Sequence, residues 1–224
     1  MGRVGKFISY TDQVYELLKK EIISGKFPEN ELLQERSIAE NLGVSRTPVR
    51  EALKKLEFEG WVETIPWKGV IVKGIHEQDV IEVFQCRFAN ERFVLETITP
   101  IIEDSHLQVL EGIHEKMKTH IDGSNEEFIH EDHAFHNYLA RLTNNKRLCQ
   151  FIDNLSEQMI RLGIRLVENS NRKEEALKEH EAILIALRNR LAEDAVKAIK
   201  IHLENSQSIL LENVKESSSE GENK

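Results

Sequence analysis

The chain is poor in the residues that punctuate or staple a fold. Its 224 residues include four prolines, eleven glycines and two cysteines. Cys86 and Cys149 stand apart with no C-x-x-C spacing, which excludes a disulfide scaffold and leaves reduced thiols as the expectation. Proline and glycine this sparse exclude collagenous and low-complexity chains. Aromatics make up 6% of the residues. No run approaches 18 consecutive apolar residues, so no segment is expected to span a membrane. The opening stretch MGRVGKFISYTDQ lacks an apolar h-region and a cleavage site, so it is not read as a secretory signal. It also places Lys6 where a myristoylation signal needs Ser or Thr. Together these absences lead to the expectation of a cytoplasmic protein.

What is present is a chain 40% hydrophobic and 31% charged, enough for one large domain or two small ones. The net charge of −9 is unevenly spread. Residues 1–74 hold 12 Lys and Arg against 11 Asp and Glu, whereas residues 75–224 hold 18 against 28. A near-neutral front and an acidic back suggest two domains with different partners.

In the front part, Val14, Leu17, Leu18, Ile22 and Ile23 form a helical stripe over Thr11 to Ser24, closed by Gly25. A second helix is expected over Glu35 to Asn41, then a tight turn through Leu42-Gly43-Val44. A third starts at Ser45, a good N-cap, with Pro48 in its first turn, and runs to about Phe58. Trp61–Ile65 and Val70–Val72 read as short strands around a hairpin tip, Pro66-Trp67-Lys68-Gly69. Three helices and a hairpin make a winged helix-turn-helix. From Ile75 onward every segment has helical period, near 77–98, 103–121, 125–142, 146–169, 172–190 and 192–214, with a break expected near Cys86–Arg87. Short connections favour an antiparallel bundle. The expected fold is therefore mainly α. A winged helix-turn-helix occupies 1–74, an all-α antiparallel bundle 75–214, and a disordered tail 215–224.

On the third helix Val49, Ala52, Leu53 and Leu56 form the buried stripe. Arg46, Arg50, Lys54 and roughly Lys55 lie opposite. The N-terminal end thus presents Ser45, Arg46, Thr47 and Arg50, which suits a helix entering a DNA major groove. Arginine is the natural donor pair for guanine, and hydroxyls at a helix N-terminus suit phosphates. Arg36 can reach the same groove or its wall, and Lys68 on the wing tip suits a backbone or minor-groove contact.

In the acidic part Asp132 and His136 stand one helical turn apart beside the buried stripe of Phe135, Leu139 and Leu142. His180 and His202 each sit mid-helix next to apolar positions. Three helices can bring these four to one interior point, as bundles build metal sites. One carboxylate and three imidazoles suit Zn, Ni, Mn or Fe(II), with room for water or a ligand oxygen. His130 and His133 are alternative ligands that turn to a more polar side. His130-Glu131 and His114-Glu115 both lack the second histidine of HExxH. No general base or nucleophile stands at a readable spacing, so an enzyme such as a metal-dependent hydrolase is not the expectation.

The stretch ERSIAENLGVSRTPVREALKKLEFEGWVETIPWKGVIV resembles the DNA-binding domain of GntR-type bacterial transcription regulators, over about residues 11–73. The resemblance implies operator contacts at Arg36, Ser45, Arg46, Thr47 and Arg50, with Gly69 as the wing glycine. Pro28-Glu29-Asn30 departs from the Pro-Gly often found after the first helix. DHAFHNYL with Asn145–Leu148, EHEAILIAL and IHLENS are similar to the FCD effector domain that marks the FadR subfamily. There the metal-binding residues match Asp132, His136, His180 and His202. FQCRFANERFVLE resembles its opening helices, with Arg87 and Glu91 as an R-x-x-x-E pair. The resemblance implies a homodimer on a palindromic stretch of double-stranded DNA. It also implies a metal-assisted small organic-acid effector in the helical domain, for which Arg87 is a carboxylate anchor or, equally, a salt bridge to Glu91. A helical domain that only dimerises is the alternative. Effector, metal, operator and the choice between repression and activation are not legible.

Overall fold

The computed structural model describes residues 8–167 and 171–221. The chain divides into two compact units, Met1–Ile75 and His76–Lys224, one residue beyond the junction expected from the sequence.

In the first unit, α1 (Tyr10–Ile23) starts where the Ser9 hydroxyl accepts from the Asp12 amide at 3.1 Å. Its spacing turns Val14, Leu18 and Ile22 inward. The second helix, α2 (Glu35–Leu42), closes on Gly43, whose φ of 65° lies in the left-handed region that favours glycine. That tight turn delivers α3 (Arg46–Phe58), whose Val49, Ala52, Leu53 and Leu56 are all buried. Strands β2 (Val62–Ile65) and β3 (Gly69–Val72) form the hairpin, paired from Val62↔Val72 to Ile65↔Gly69. A third strand, β1 (Leu32–Leu33), was not expected; it pairs antiparallel with β3, giving the order β1-β3-β2. Two residues are too short to show alternation. The strand is set by long-range bonds, Asn30 N to Val72 O at 2.9 Å and Val72 N to Glu31 O at 3.0 Å.

A polar knot ties α1 to the end of α3. Tyr15 Oη donates to Glu59 Oε2 at 2.6 Å, and Lys19 Nζ donates to the same oxygen at 2.8 Å. Burial, together with the Glu59 acceptor, pushes the Tyr15 phenol up to about 12. Lys55 packs over the Tyr15 ring, 3.7 Å from its centre, so it serves α1 and not the outer face of α3.

The second unit is helical among the described residues. It comprises α4 (Glu77–Ile98), a 3-10 turn (Thr99–Ile101), α5 (Asp104–Thr119), α6 (Asn125–Leu142), α7 (Lys146–Leu166), α8 (Arg172–Arg188) and α9 (Ala192–Gly221). The expected break at Cys86–Arg87 is absent: α4 holds neither Gly nor Pro, and Asn90 Nδ2 bonds the Cys86 carbonyl at 2.6 Å within the helix. The helix α9 continues to Gly221, through positions 215–221 where a disordered tail was expected. Residues 168 and 169, expected at the end of α7, lie outside the described residues. Helix α9 packs on α4 and α8, α6 on α5 and α7, and α5 on α8. No helix among the described residues is long and apolar enough to cross a membrane.

Leu56 is fully buried. Leu56→Ala is expected to cost about 2–5 kcal/mol through lost transfer energy and the cavity left behind. Gly43→Ala, which meets open space but a left-handed backbone, is expected to cost about 1–2 kcal/mol. Urea melts followed by circular dichroism check both, and a Leu56→Ala chain as stable as the parent would contradict this core.

Candidate DNA-contact face and candidate metal centre

In the first unit Ser45, Arg46, Thr47 and Arg50 are all exposed at the N-terminal end of α3. Ser45 occupies the N-cap position without a side-chain capping bond, so its hydroxyl is not spent on the helix. The two arginines converge on one carboxylate. Arg50 Nε and Nη2 donate to the two Glu35 oxygens, each at 2.9 Å, and Arg46 Nη2 donates at 3.2 Å. The Arg50 hydrogen bonds hold the Glu35 carboxyl below its ordinary range. Glu35 starts α2 and was missed by sequence reasoning, because fifteen residues separate it from Arg50. Arg36 pairs with Glu40 along α2 at 2.8 Å, and Lys54 with Glu51 at 3.1 Å.

On the wing, Lys68 is exposed and Gly69 adopts a φ of 119°. A side chain there would be strained and would sit 3.1 Å from Leu32 Cδ1. Trp67 beside them is fully exposed with a φ of 67°, an uncommon conformation for a bulky residue.

In the second unit α6, α8 and α9 bring Asp132, His136, His180 and His202 together, one ligand atom of each lying within 4.8 Å of the others. The three imidazoles are buried. His136 Nε2 lies 3.2 Å from His180 Nε2, and Asp132 Oδ1 lies 3.4 Å from His180 Nε2. Two ligands bound at about 2.0–2.1 Å in a tetrahedron stand roughly 3.3 Å apart, so these separations fit a single small divalent ion. His202 Nδ1 lies 2.8 Å from Glu179 Oε2, and His136 Nδ1 approaches Glu91 Oε2 to 2.7 Å, outside hydrogen-bond geometry. Carboxylates at Nδ1 favour the tautomer with Nε2 free for a metal. His180 stacks on Phe135 with ring centres 4.6 Å apart, which fixes its plane.

Burial, and then the neighbouring imidazoles, push His180 and His202 well below the ordinary histidine range. The alternative ligands are not among the four converging donors. His130 is exposed near Glu126, and His133 bonds Asn137 at 2.9 Å. Burial pushes His133 down to about 4.

A cavity of about 50 Å³ opens beside this cluster, lined among others by Asp132, His136, His202, Arg87 and Arg172. Both arginines are already paired. Arg87 Nε donates to Glu91 Oε1 at 2.7 Å, the salt-bridge arrangement, while the side chain still lines the cavity. Burial alone would raise the Glu91 carboxyl, but Arg87 and His136 hold it well below its ordinary range. Arg172 Nη1 and Nη2 grip Glu179 at 2.9 and 2.6 Å, and Nη2 also reaches Ser206 Oγ at 2.7 Å. Sequence reasoning missed Arg172, Glu179 and the contact of Glu91 with His136. An EHE run offers no cue to which glutamate turns inward.

Two family models match the chain, the bacterial regulatory proteins of the gntR family over residues 10–72 and the FCD domain over residues 82–205. The Uxu operon regulator of Haemophilus influenzae is 31% identical, covering 91% of this chain and 82% of its own. A gluconate operon transcriptional repressor of Bacillus subtilis is 30% identical, covering 79% and 74%. Among solved structures, a GntR-type regulator from Rhodococcus sp. RHA1 superposes with a TM-score of 0.78 at 24% identity, covering 91% of this chain and 98% of its own. Escherichia coli McbR/YncC gives 0.74 at 23%, covering 92% and 99%. Both have the same fold.

In the metal-free chain, stability is expected to fall as pH drops below about 6.5, because unfolded His180 and His202 bind protons there and the buried ones do not. Denaturant melts at about pH 7.5 and 5.5 measure the loss. His202→Asn should make it shallower, and an unchanged difference would contradict a buried neutral imidazole at this position.

Proposed function

The chain belongs to the GntR family of bacterial regulatory proteins, with an FCD domain after its winged helix, and from that premise we propose a homodimeric regulator whose grip on operator DNA responds to a metal-assisted small organic acid. It is a DNA-binding transcriptional regulator, not an enzyme. The effector half of the proposal is carried by one observation, four donor atoms converging within 4.8 Å, three of them from residues that line a cavity. Asp132, His136, His180 and His202 hold the ion, and that donor set suits Zn, Ni, Mn or Fe(II). When bound, the ion supplies a Lewis-acidic point for a carboxylate oxygen. Arg87 lines the same cavity, paired to Glu91 until an acid competes for it. Relatives named for gluconate and Uxu operons support an organic-acid effector. The protein acts in the cytoplasm, where such acids and the operator meet.

On the DNA side, the N-terminal end of α3 enters the major groove. Arg46 and Arg50 read bases there, and Ser45 and Thr47 hold phosphates. Arg36 contacts the groove wall. Lys68, on the tight bend that Gly69 permits, meets the backbone or the minor groove. Glu35 holds both guanidinium groups at the end of α3 until DNA takes its place. A two-fold dimer requires a palindromic operator.

Binding to operator DNA, read by fluorescence anisotropy across salt, separates the two kinds of contact. Arg50→Ala is expected to lose about 1–3 kcal/mol and relax base preference. Lys68→Ala should weaken all sequences alike and lower the salt slope by about 1. Wild-type binding in both variants would remove these residues from the interface.

The effector site is tested by metal analysis and linkage. The purified chain should hold about one equivalent of metal, and His180→Ala none. An acid that weakens operator binding should itself bind about 5–150-fold more weakly when operator is present. An absence of metal even after incubation with Zn, Ni and Mn would leave a helical unit that only dimerises.

A further inference from the structure

Resting on the effector reading above, the cavity itself bears on which acid it takes. Four ionised side chains line it, Arg87, Glu91, Asp132 and Arg172. Arg87 is neutralised by Glu91 and Arg172 by Glu179, and the exposed Glu175, 3.8 Å from Arg172, does not line the cavity. Asp132 remains as the single unbalanced charge, since imidazoles that ligate a metal are neutral. A divalent ion beside it leaves one positive charge. In a desolvated space one negative charge balances that, and two or three do not.

The amide and hydroxyl groups of the wall are already engaged. Asn90 Nδ2 donates to Cys86 O at 2.6 Å, and Asn137 Nδ2 lies 2.9 Å from His133 Nε2. Ser156 Oγ donates to Ile152 O at 2.5 Å, and Ser206 Oγ donates to His202 O at 2.8 Å while accepting from Arg172. A ligand rich in hydroxyls would bury several of them without partners, each an unfavourable desolvation. Three wall atoms are buried with no hydrogen-bond partner: Glu91 Oε2 and His136 Nδ1, which stand 2.7 Å apart, and the donor Arg172 Nε. The rest of the wall is apolar. One face of α7 supplies Ile152, Leu155, Met159 and Ile160, with Phe84 from α4.

We propose that the cavity takes a compact monocarboxylate with an apolar tail, its charged end at the metal and Arg172 Nε and its tail against α7, and that it selects against dicarboxylates and polyhydroxylated acids. The cavity of about 50 Å³ limits the ligand to a short tail. Each tail methylene that leaves water is worth about fourfold in affinity.

The test is calorimetric titration of the zinc-loaded full-length chain with three probes, 4-methyl-2-oxopentanoate, gluconate and succinate. The first is expected to bind at least about tenfold more tightly than either of the others. Leu155→Asn should weaken it by about tenfold while one zinc stays bound. Met159→Gln, closer in shape, gives the same reading should Leu155→Asn lose its zinc. Gluconate or succinate binding as tightly as the branched acid would overturn this inference and leave the carboxylate-effector reading standing. Wild-type affinity in a zinc-bound Leu155→Asn or Met159→Gln chain would do the same. No binding of any probe by a chain holding one zinc would overturn the effector reading itself, and this inference with it.

Discussion

Three buried imidazoles crowd around one carboxylate, and the helical unit is organised around that desolvated cluster. Unpaired polar atoms at such depth are costly, so each ring needs a fixed tautomer and a neighbour. Glu179 and Glu91 stand at the Nδ1 sides of His202 and His136. Those carboxylates are themselves buried or nearly so and need cations, which Arg172 and Arg87 provide. The chain of dependence therefore runs outward from the cluster through two glutamates to two arginines. It draws in α4, α6, α8 and α9, and a change in any of them disturbs the rest.

The winged unit applies the same device in water. Glu35 gathers Arg46 and Arg50 at the end of α3 facing solvent, and the surrounding charges are exposed. Exposed pairs of this kind contribute little to stability. Their effect is on orientation, because one carboxylate holds both guanidinium groups at the same end of α3. The contrast between the units is one of dielectric. Buried pairs in the bundle set structure, whereas the exposed pairs between α2 and α3 stay in contact with water.

Much of this was legible in the sequence. The helical stripe ending at Gly25, the Gly43 turn, the Ser45 N-cap and the hairpin around Gly69 all follow from local rules, and the structure has each of them, except that Leu17 of the stripe is exposed and Tyr15 is buried in α1. So do the six helices after Ile75. Asp132 and His136 could be paired from their spacing, because one helical turn is a local distance. The expectation of a break in α4 was wrong for a local reason as well, since no residue there interrupts the hydrogen-bond ladder.

What the sequence by itself determined is therefore periodic and short in range: helix positions, turns, caps, and which face of each helix carries the candidate polar residues. Tertiary structure decided the rest. It paired the two-residue β1 with β3 and placed Glu35 under arginines eleven and fifteen residues away. It also chose Glu179 over its neighbours as the partner of His202, and buried Arg172 against residues from 7 to 34 positions distant. Periodicity reports which face of a helix is buried. It carries no information about which buried faces meet, and these partnerships exist only where two such faces come into contact.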